Sequence, residues 1–215
     1  MAIARTASGQ IGATSAVTGI SGAFNCSGGD FLLAFAIRQN ATQQTCTYNG
    51  VSMTHIGVGL NDGSNLVTDV FYLLAPASGS NTLASVGVGS TYRALTAVAY
   101  SGARQSGQPD ASSFPTSSSS TSKTLAITTV AANSWIVGLY TNSNGGTLTA
   151  NNSAVSISVN ANPGSTDMVW DTNTPIVTPA ATTVGGQSTI SGPQGLMAIS
   201  IAPAVASSSA FFAFM

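Results

Sequence analysis

The chain contains one histidine, His55, and histidine is the residue type that most often acts as a general base in hydrolysis. A serine-type hydrolase also needs an acid that orients this base, and its nucleophile commonly lies in a G-x-S-x-G turn. In the segment VSMTHIG, His55 shares a predicted strand face with Val51 and Met53, neither of which orients an imidazole. No G-x-S-x-G sequence is present. We therefore expect a structural or surface role for His55.

The acidic residues do not form a pattern that is typical of a glycosidase, which needs two carboxylates about 5 to 10 Å apart. All six acids are aspartates, and they are spread over separate segments. The two closest in sequence are Asp167 and Asp171, in DMVWD. On a strand they would project from one face about 13 Å apart, which is too far for paired acid and base catalysis. We expect no catalytic residues and no enzyme activity.

Two polar segments offer oxygen atoms of the kind that calcium prefers, NDGSN (61–65) and DTNT (171–174). The same residue types are ordinary turn formers, and neither segment has the spacing of an EF-hand. No phosphate-binding glycine motif lies between a predicted strand and a helix. The sequence predicts no metal site and no cofactor.

Carbohydrate binding is a further alternative, because β-rich lectins stack sugars on exposed aromatic rings. Most of the Trp and Tyr residues lie in alternating apolar segments, which indicates core positions. Trp170 is next to Asp171 and close to a predicted loop. It is therefore the candidate glycan contact.

Charged residues make up only 5% of the 215 residues, against about 25% in an ordinary globular protein. Five scattered Lys and Arg residues form no basic stripe, which argues against nucleic acid and anionic membranes as partners. We find no signal peptide and no apolar run of bilayer length, so we expect synthesis and folding in the cytoplasm. Cys26 and Cys46 are expected to be reduced, packed thiols, with a disulfide between them as the alternative.

Alternation with a period of two recurs along the chain, and no segment shows sustained helical periodicity. DFLLAFAIRQN (30–40) is apolar on both faces, as in a central strand, and Asn49-Gly50 favours a tight hairpin turn. A Pro- and Ser-rich stretch at about 103–123 indicates a long loop, and the second half then repeats the style of the first. These features predict an all-β antiparallel β-sandwich or jelly roll of about ten strands.

We divide the chain into an N-terminal arm with a first strand (1–27), a β-sandwich domain (28–205) and an apolar C-terminal segment (206–215). In an extended AFFAFM, Phe212 and Phe214 face one side while Phe211 and Met215 face the other. A solvent-exposed edge would not accommodate such a strand. We expect these four residues to form an assembly tail that reaches a neighbouring subunit, with docking on its own body as the alternative.

The segments GDFLLAFAI, TYNGVSMTHIG, VFYLLAPASGSNTLASV and GLMAISIAP resemble those of a β-sandwich domain that recurs in tailed-phage virion proteins and in secreted bacterial proteins. The similarity covers about residues 28–203. Family members end on a strand followed by KPA, whereas this chain has SIAPA without the lysine. The family has no known catalytic motif, so the resemblance implies a non-catalytic surface or structural role.

Together these observations predict a non-enzymatic virion structural protein, and most specifically a capsid decoration or cement protein. It would be made in the host cytoplasm, form homo-oligomers and contact the major capsid protein. The alternative is a tail, fibre or surface adhesion module that binds host glycans. High copy number in particles would support the capsid assignment, and glycan binding that depends on Trp170 would support adhesion.

Overall fold

The computed structural model describes residues 1–39, 42–60, 66–114, 118–162 and 165–205. This part of the chain contains fourteen β-strands and no helix, and every strand pairing in it is antiparallel. The prediction of an all-β antiparallel fold is therefore confirmed. The described residues include no helix that is both long and apolar enough to cross a membrane. The strands are β1 (Ala4–Asn25), β2 (Phe31–Gln39), β3 (Thr45–Tyr48), β4 (Val51–Ser52), β5 (Thr54–Leu60), β6 (Leu66–Leu74), β7 (Ser80–Ser101), β8 (Ala111–Ser113), β9 (Ser118–Thr128), β10 (Trp135–Asn142), β11 (Leu148–Asn152), β12 (Val155–Asn162), β13 (Ser165–Asp171) and β14 (Ala181–Ile201).

The strands form two seven-stranded sheets, one from each half of the chain. The first sheet has the order β4-β3-β7-β2-β6-β5, and β1 pairs with β7. The second has the order β11-β14-β10-β13-β12, and both β8 and β9 pair with β14. If the pair β8 and β9 is matched to β1, each strand of the second sheet has a counterpart with the same neighbours in the first. The chain is thus built from two units of one topology.

The ladder registers support this correspondence at the level of single residues. Strand β2 pairs with β7 from Phe31↔Tyr100 to Arg38↔Arg93, and β10 pairs with β14 over the same length. A bulge interrupts β5 between His55 and Gly57. A matching bulge in β12 lies between Ser156 and Ser158. These two residues pair with β13 in the same way that His55 and Gly57 pair with β6. Because a bulge fixes local register and twist, its presence in both units shows that they share detailed backbone geometry.

Three hydrophobic clusters follow from the alternation of side chains along the central strands. The first-sheet core contains residues of the first unit alone, so this sheet curls around its own cluster; it includes Leu32, Tyr48, Phe71, Leu83 and Leu95. The second-sheet core is built in the same way and includes Ile136, Tyr140, Trp170, Val184 and Leu196. The central core joins the two sheets and includes Phe31, Leu33, Val70, Val98, Trp135, Leu139, Val169 and Ile199.

Two local predictions can be compared directly with the backbone. Strand β2 is buried on both faces, as DFLLAFAIRQN predicts. Tyr48 pairs with Val51 across a two-residue turn in which Asn49 and Gly50 have φ angles of 50° and 76°. These positive angles are those of a tight hairpin turn, for which an Asn-Gly pair is well suited.

The structure differs from the sequence prediction in the middle of the chain. The stretch predicted as an N-terminal arm and first strand (1–27) contains β1, which pairs with β7 along nearly its whole length. The segment at about 103–123 is not one long loop. It contains β8 and the beginning of β9, whose partner is β14. Serine and threonine hydroxyls are tolerated on an exposed strand, and here the ladder to β14 outweighs the weak β-propensity of a serine run.

Candidate functional site

Every Lys, Arg and Asp side chain in the described residues makes a hydrogen bond to the chain itself. Asp30, for example, accepts hydrogen bonds from the backbone N–H groups of Gly102 and Ala103 at 2.8 and 3.0 Å. Asp110 accepts bonds from the backbone N–H groups of Val130 and Ala131. Asp62 lies outside the described residues. The few charges therefore fasten strands and loops together.

A polar cluster in the first unit is centred on the buried Asp69. The Arg38 Nε donates to Asp69 Oδ2 at 2.7 Å, and the Gln44 backbone N–H donates to the same oxygen at 3.2 Å. Gln44 Oε1 in turn accepts bonds from Arg93 Nη1 at 2.7 Å and from the Ser85 hydroxyl at 2.9 Å. A charge taken out of water requires such partners, because an unpaired one is costly. We call these five residues the Asp69 network.

Arg93 also bonds to backbone carbonyls of β1 and β7. Its Nε donates to the Val17 carbonyl and its Nη2 to the Gly89 carbonyl, at 3.1 and 3.2 Å. Burial lowers the pKa of Arg93, and the neighbouring Arg38 lowers it further. In the second unit the positions matching Arg38 and Arg93 are Asn142 and Gln194. The charged version of this cluster thus belongs to one unit only.

His55 is closer to an acid than the sequence indicated. Its Nε2 lies 3.4 Å from Asp69 Oδ1, and its ring is tilted against Phe71 with a centroid separation of 5.1 Å. Asp69 was not expected to orient His55, because the two residues are on different strands. The pair has the components of a base and an orienting acid, but the Asp69 carboxylate is buried and its Oδ2 is held by Arg38 and Gln44. This favours a structural role for the pair.

Asp167 and Asp171 are both buried on the face of β13 that packs against the first unit, while Trp170 points the other way. Burial raises the pKa of Asp167 to about 7, and a hydrogen bond from Asn162 partly opposes this. Its Oδ1 has no hydrogen-bond partner among the described residues. Tyr92 on β7 lies near enough for the Asp167 carboxylate to contribute to raising the tyrosine pKa, although burial is the larger cause.

Asp171 is better compensated than Asp167. Arg5 Nη1 donates to Asp171 Oδ2 at 2.8 Å, and the Tyr100 hydroxyl donates to the same oxygen at 2.9 Å. Burial raises the pKa of Asp171, against the opposing effects of Arg5, Tyr100 and the Asn173 backbone N–H. The carboxylate of the segment DTNT therefore joins the two units. The described residues contain no cluster of three or more His, Cys or acidic side chains.

The choice of Trp170 as a glycan contact is wrong. Trp170 is fully buried in the second-sheet core, where its ring packs over Gly138. Proximity to a loop was a poor guide, because the curled second sheet covers this face of β13. A buried indole has no surface on which a sugar can stack.

The assembly-tail residues Phe211, Phe212, Phe214 and Met215 lie outside the described residues, as does the segment 61–65. Cys26 and Cys46 are both buried and free. Burial raises the pKa of Cys46 to about 12. The structure thus agrees with the prediction of two reduced, packed thiols.

A cavity of about 570 Å³ opens where the first and last described residues meet. Its walls include Ile3, Arg104, Trp135, Pro175, Pro203 and Val205. Trp135 forms part of the central core and packs edge-on against Tyr100, so it gives the cavity a rigid wall. The volume lies within the range of about 300 to 1,000 Å³ that is usual for ligand pockets. We call this cavity the terminal pocket, and it is the candidate binding site.

Sequence reasoning missed both the Asp69 network and the terminal pocket. The network had a readable signal, since Arg38, Asp69 and Arg93 each interrupt an apolar strand in a chain with few charges. A charge in a strand that is buried on both faces needs a partner. The pocket had no such signal, because its walls come from segments far apart in the sequence.

The fold and site describe a charge-poor, all-β protein of two units with one topology and a pocket where the first and last described residues meet. Comparison with family models, with curated proteins and with solved structures gave no match.

Proposed function

We propose that this chain is a non-enzymatic structural protein of a virus particle, and most specifically a decoration or cement protein on a tailed-phage capsid. The observation that carries the proposal is the use of charge. The charged side chains of the described residues bond to the chain itself, which leaves an exterior dominated by hydroxyl, amide and small apolar groups. Such a surface suits permanent packing against neighbours better than recognition of charged, exchanging ligands.

The polar clusters are consistent with this role. In the Asp69 network a buried carboxylate bonds to an arginine and a backbone N–H, and the arginine at β7 bonds to backbone carbonyls. Bonds to backbone groups hold a fixed conformation, whereas a catalytic acid or base must have an accessible reacting atom. These residues therefore support rigidity, which is useful in a particle component.

The finer architecture belongs to the same proposal. We describe the two sheets as a β-sandwich of the jelly-roll kind, supported by the central core to which both sheets contribute. Contacts in the particle would involve the outer surface of this sandwich and the apolar residues 211–215. The partners would be further copies of the chain and the major capsid protein.

Quantitative mass spectrometry of purified particles, combined with cryo-electron microscopy, tests the proposal. We expect hundreds of copies per particle and density on the outside of the shell. A few to some tens of copies would place the protein in the tail and contradict the capsid assignment. Absence from the particles would contradict the structural role as a whole. With Trp170 buried, the glycan-binding alternative loses its one named contact residue.

A further inference from the structure

We propose that the terminal pocket is the receptor for the aromatic residues 211–214 of a second copy of this chain. The inference rests on the proposed assembly role and names the contact through which copies associate. The walls of the pocket are mainly apolar, from Ile3, Trp135, Pro175 and Pro203. Arg104 adds a guanidinium, and its Nε and Nη2 are held by the Ser106 and Gly107 carbonyls at 2.8 and 2.9 Å.

This lining matches an aromatic occupant. Phenylalanine rings bury large apolar areas, pack well against an indole edge or face and are attracted to a guanidinium lying over them. The sequence after Val205 is ASSSAFFAFM, which carries three phenylalanines within four residues and no charged side chain. An anionic ligand is a weaker fit, because two of the donor nitrogens of Arg104 are already engaged.

The described chain ends at the mouth of the terminal pocket. The Ala204 N–H donates to the Gly102 carbonyl at 2.7 Å, and the Met1 amine donates to the Ala204 carbonyl at 3.2 Å. The backbone is therefore fixed at the rim up to Ala204. The next residue, Val205, is 80% exposed and forms part of the pocket wall, so the tail begins at the mouth of the pocket, from which it can reach a copy in contact.

The tether has a suitable length for such a contact. Five residues, 206–210, separate Val205 from Phe211 and span at most about 18 Å when extended. That distance reaches a copy in direct contact but not one farther away. In a particle, where copies are held side by side, the effective concentration of a neighbour's tail is high, as it is for linked modules. A contact of this kind is heterologous, since a tail on one copy enters a pocket on the next.

The test uses two full-length variants with complementary defects. Ala132→Trp fills the pocket from an exposed position on its wall, and the triple change F211S/F212S/F214S removes the aromatic rings. We expect each variant to lose self-association by at least about tenfold relative to the natural chain, as is usual for a central aromatic anchor. The matched control is Ala126→Trp, the same change at an exposed position on β9 outside the pocket, and it should associate normally.

Mixing the variants decides between a neighbour's pocket and the chain's own. Ala132→Trp keeps its tail and the triple variant keeps its pocket, so an equimolar mixture should form a one-to-one complex in analytical ultracentrifugation. The emission of Trp135 should change as the complex forms. Two outcomes would overturn the proposal. One is that the mixture forms no complex. The other is that the natural chain is monomeric and the triple variant differs from it only in Trp135 emission, as docking of the tail in its own pocket predicts. If Ala132→Trp is still incorporated into particles at full copy number, the pocket inference fails while the proposed function stands.

Discussion

Replacing Asp167 by asparagine should stabilise the protein above neutral pH. The carboxyl is buried between the two units, its Oδ1 has no hydrogen-bond partner in the described part of the chain, and burial raises its pKa from 3.8 to about 7. An asparagine of nearly equal shape carries no charge, and it can still accept the hydrogen bond from Asn162. The substitution thus removes the cost of ionising a buried group.

The magnitude follows from linkage between protonation and folding. A carboxyl whose folded pKa lies above its unfolded value binds its proton more tightly in the folded state, so it opposes folding as pH rises through the interval between the two values. Well below pH 3.8 the group is protonated in both states and costs nothing. Above about pH 7 the full cost is present, and at 1.36 kcal/mol per pH unit it is roughly 4 kcal/mol at most.

Urea unfolding of both proteins from pH 4 to pH 8 measures this effect. The free energy of unfolding of Asp167→Asn minus that of the natural protein should be smallest at pH 4, rise through the interval and level off above pH 7. Asp30→Asn is a useful control, since the Asp30 carboxylate accepts two backbone hydrogen bonds and its replacement should be destabilising. A difference for Asp167→Asn that does not vary with pH, or a loss of stability at pH 8, would refute the reasoning.

Three further predictions concern packing, thiol reactivity and salt. A Cβ at Gly138 would lie 1.9 Å from the Met197 carbonyl oxygen and 2.3 Å from Trp170 Cζ2, so Gly138→Ala should lower the free energy of unfolding by about 3 kcal/mol or more in the same urea assay. The control is Gly9→Ala on β1, where a Cβ would have no atom within 4 Å, and it should change the free energy of unfolding by less than about 0.5 kcal/mol. Because the Cys46 thiol is buried with a pKa of about 12, Ellman's reagent at pH 8 should label it only after denaturation, and rapid labelling of the native protein would contradict its placement in the first-sheet core. Self-association should vary little between low and moderate salt in sedimentation experiments, since the described charges are engaged internally, and a steep loss with added salt would show that charged contacts drive assembly.

The fold class was predictable because local signals for strands agree along the chain. Strand β2 is apolar on both faces and is buried on both, and Asn49-Gly50 forms the turn that its conformational preference predicts. The strand count was underestimated where those signals are weak. Strands β8 and β9 consist mostly of serine, threonine and alanine, and they are ordered by pairing with β14 rather than by their own propensity.

The candidate site was less predictable, because its features depend on contacts between distant segments. The lone histidine was correctly seen as lacking an acid on its own strand, yet Asp69 on the adjacent strand lies 3.4 Å away. Trp170 was misplaced because the face covered by a curling sheet cannot be inferred from alternation alone. Alternation predicts that Trp170 and Asp171 point to opposite sides, but not which side is exposed, and here both are buried.

The two units explain why a chain with so few charges can still be specific. Corresponding positions supply the central core from each side, for example Phe31 and Trp135, or Val70 and Val169, so the contact between units resembles the interface of a homodimer within one chain. Polar residues then distinguish the units: Arg38 and Arg93 occupy the ladder positions that Asn142 and Gln194 occupy in the second. Met168 pairs with Tyr140 in the second unit as Asp69 pairs with Ala36 in the first, so Met168 occupies the position of Asp69. A charge at position 142 or 194 would therefore face Met168 and not an acid. An arginine there would be buried without its acid, which is costly, so the polar clusters favour one arrangement of the two sheets over the exchange of equivalent strands.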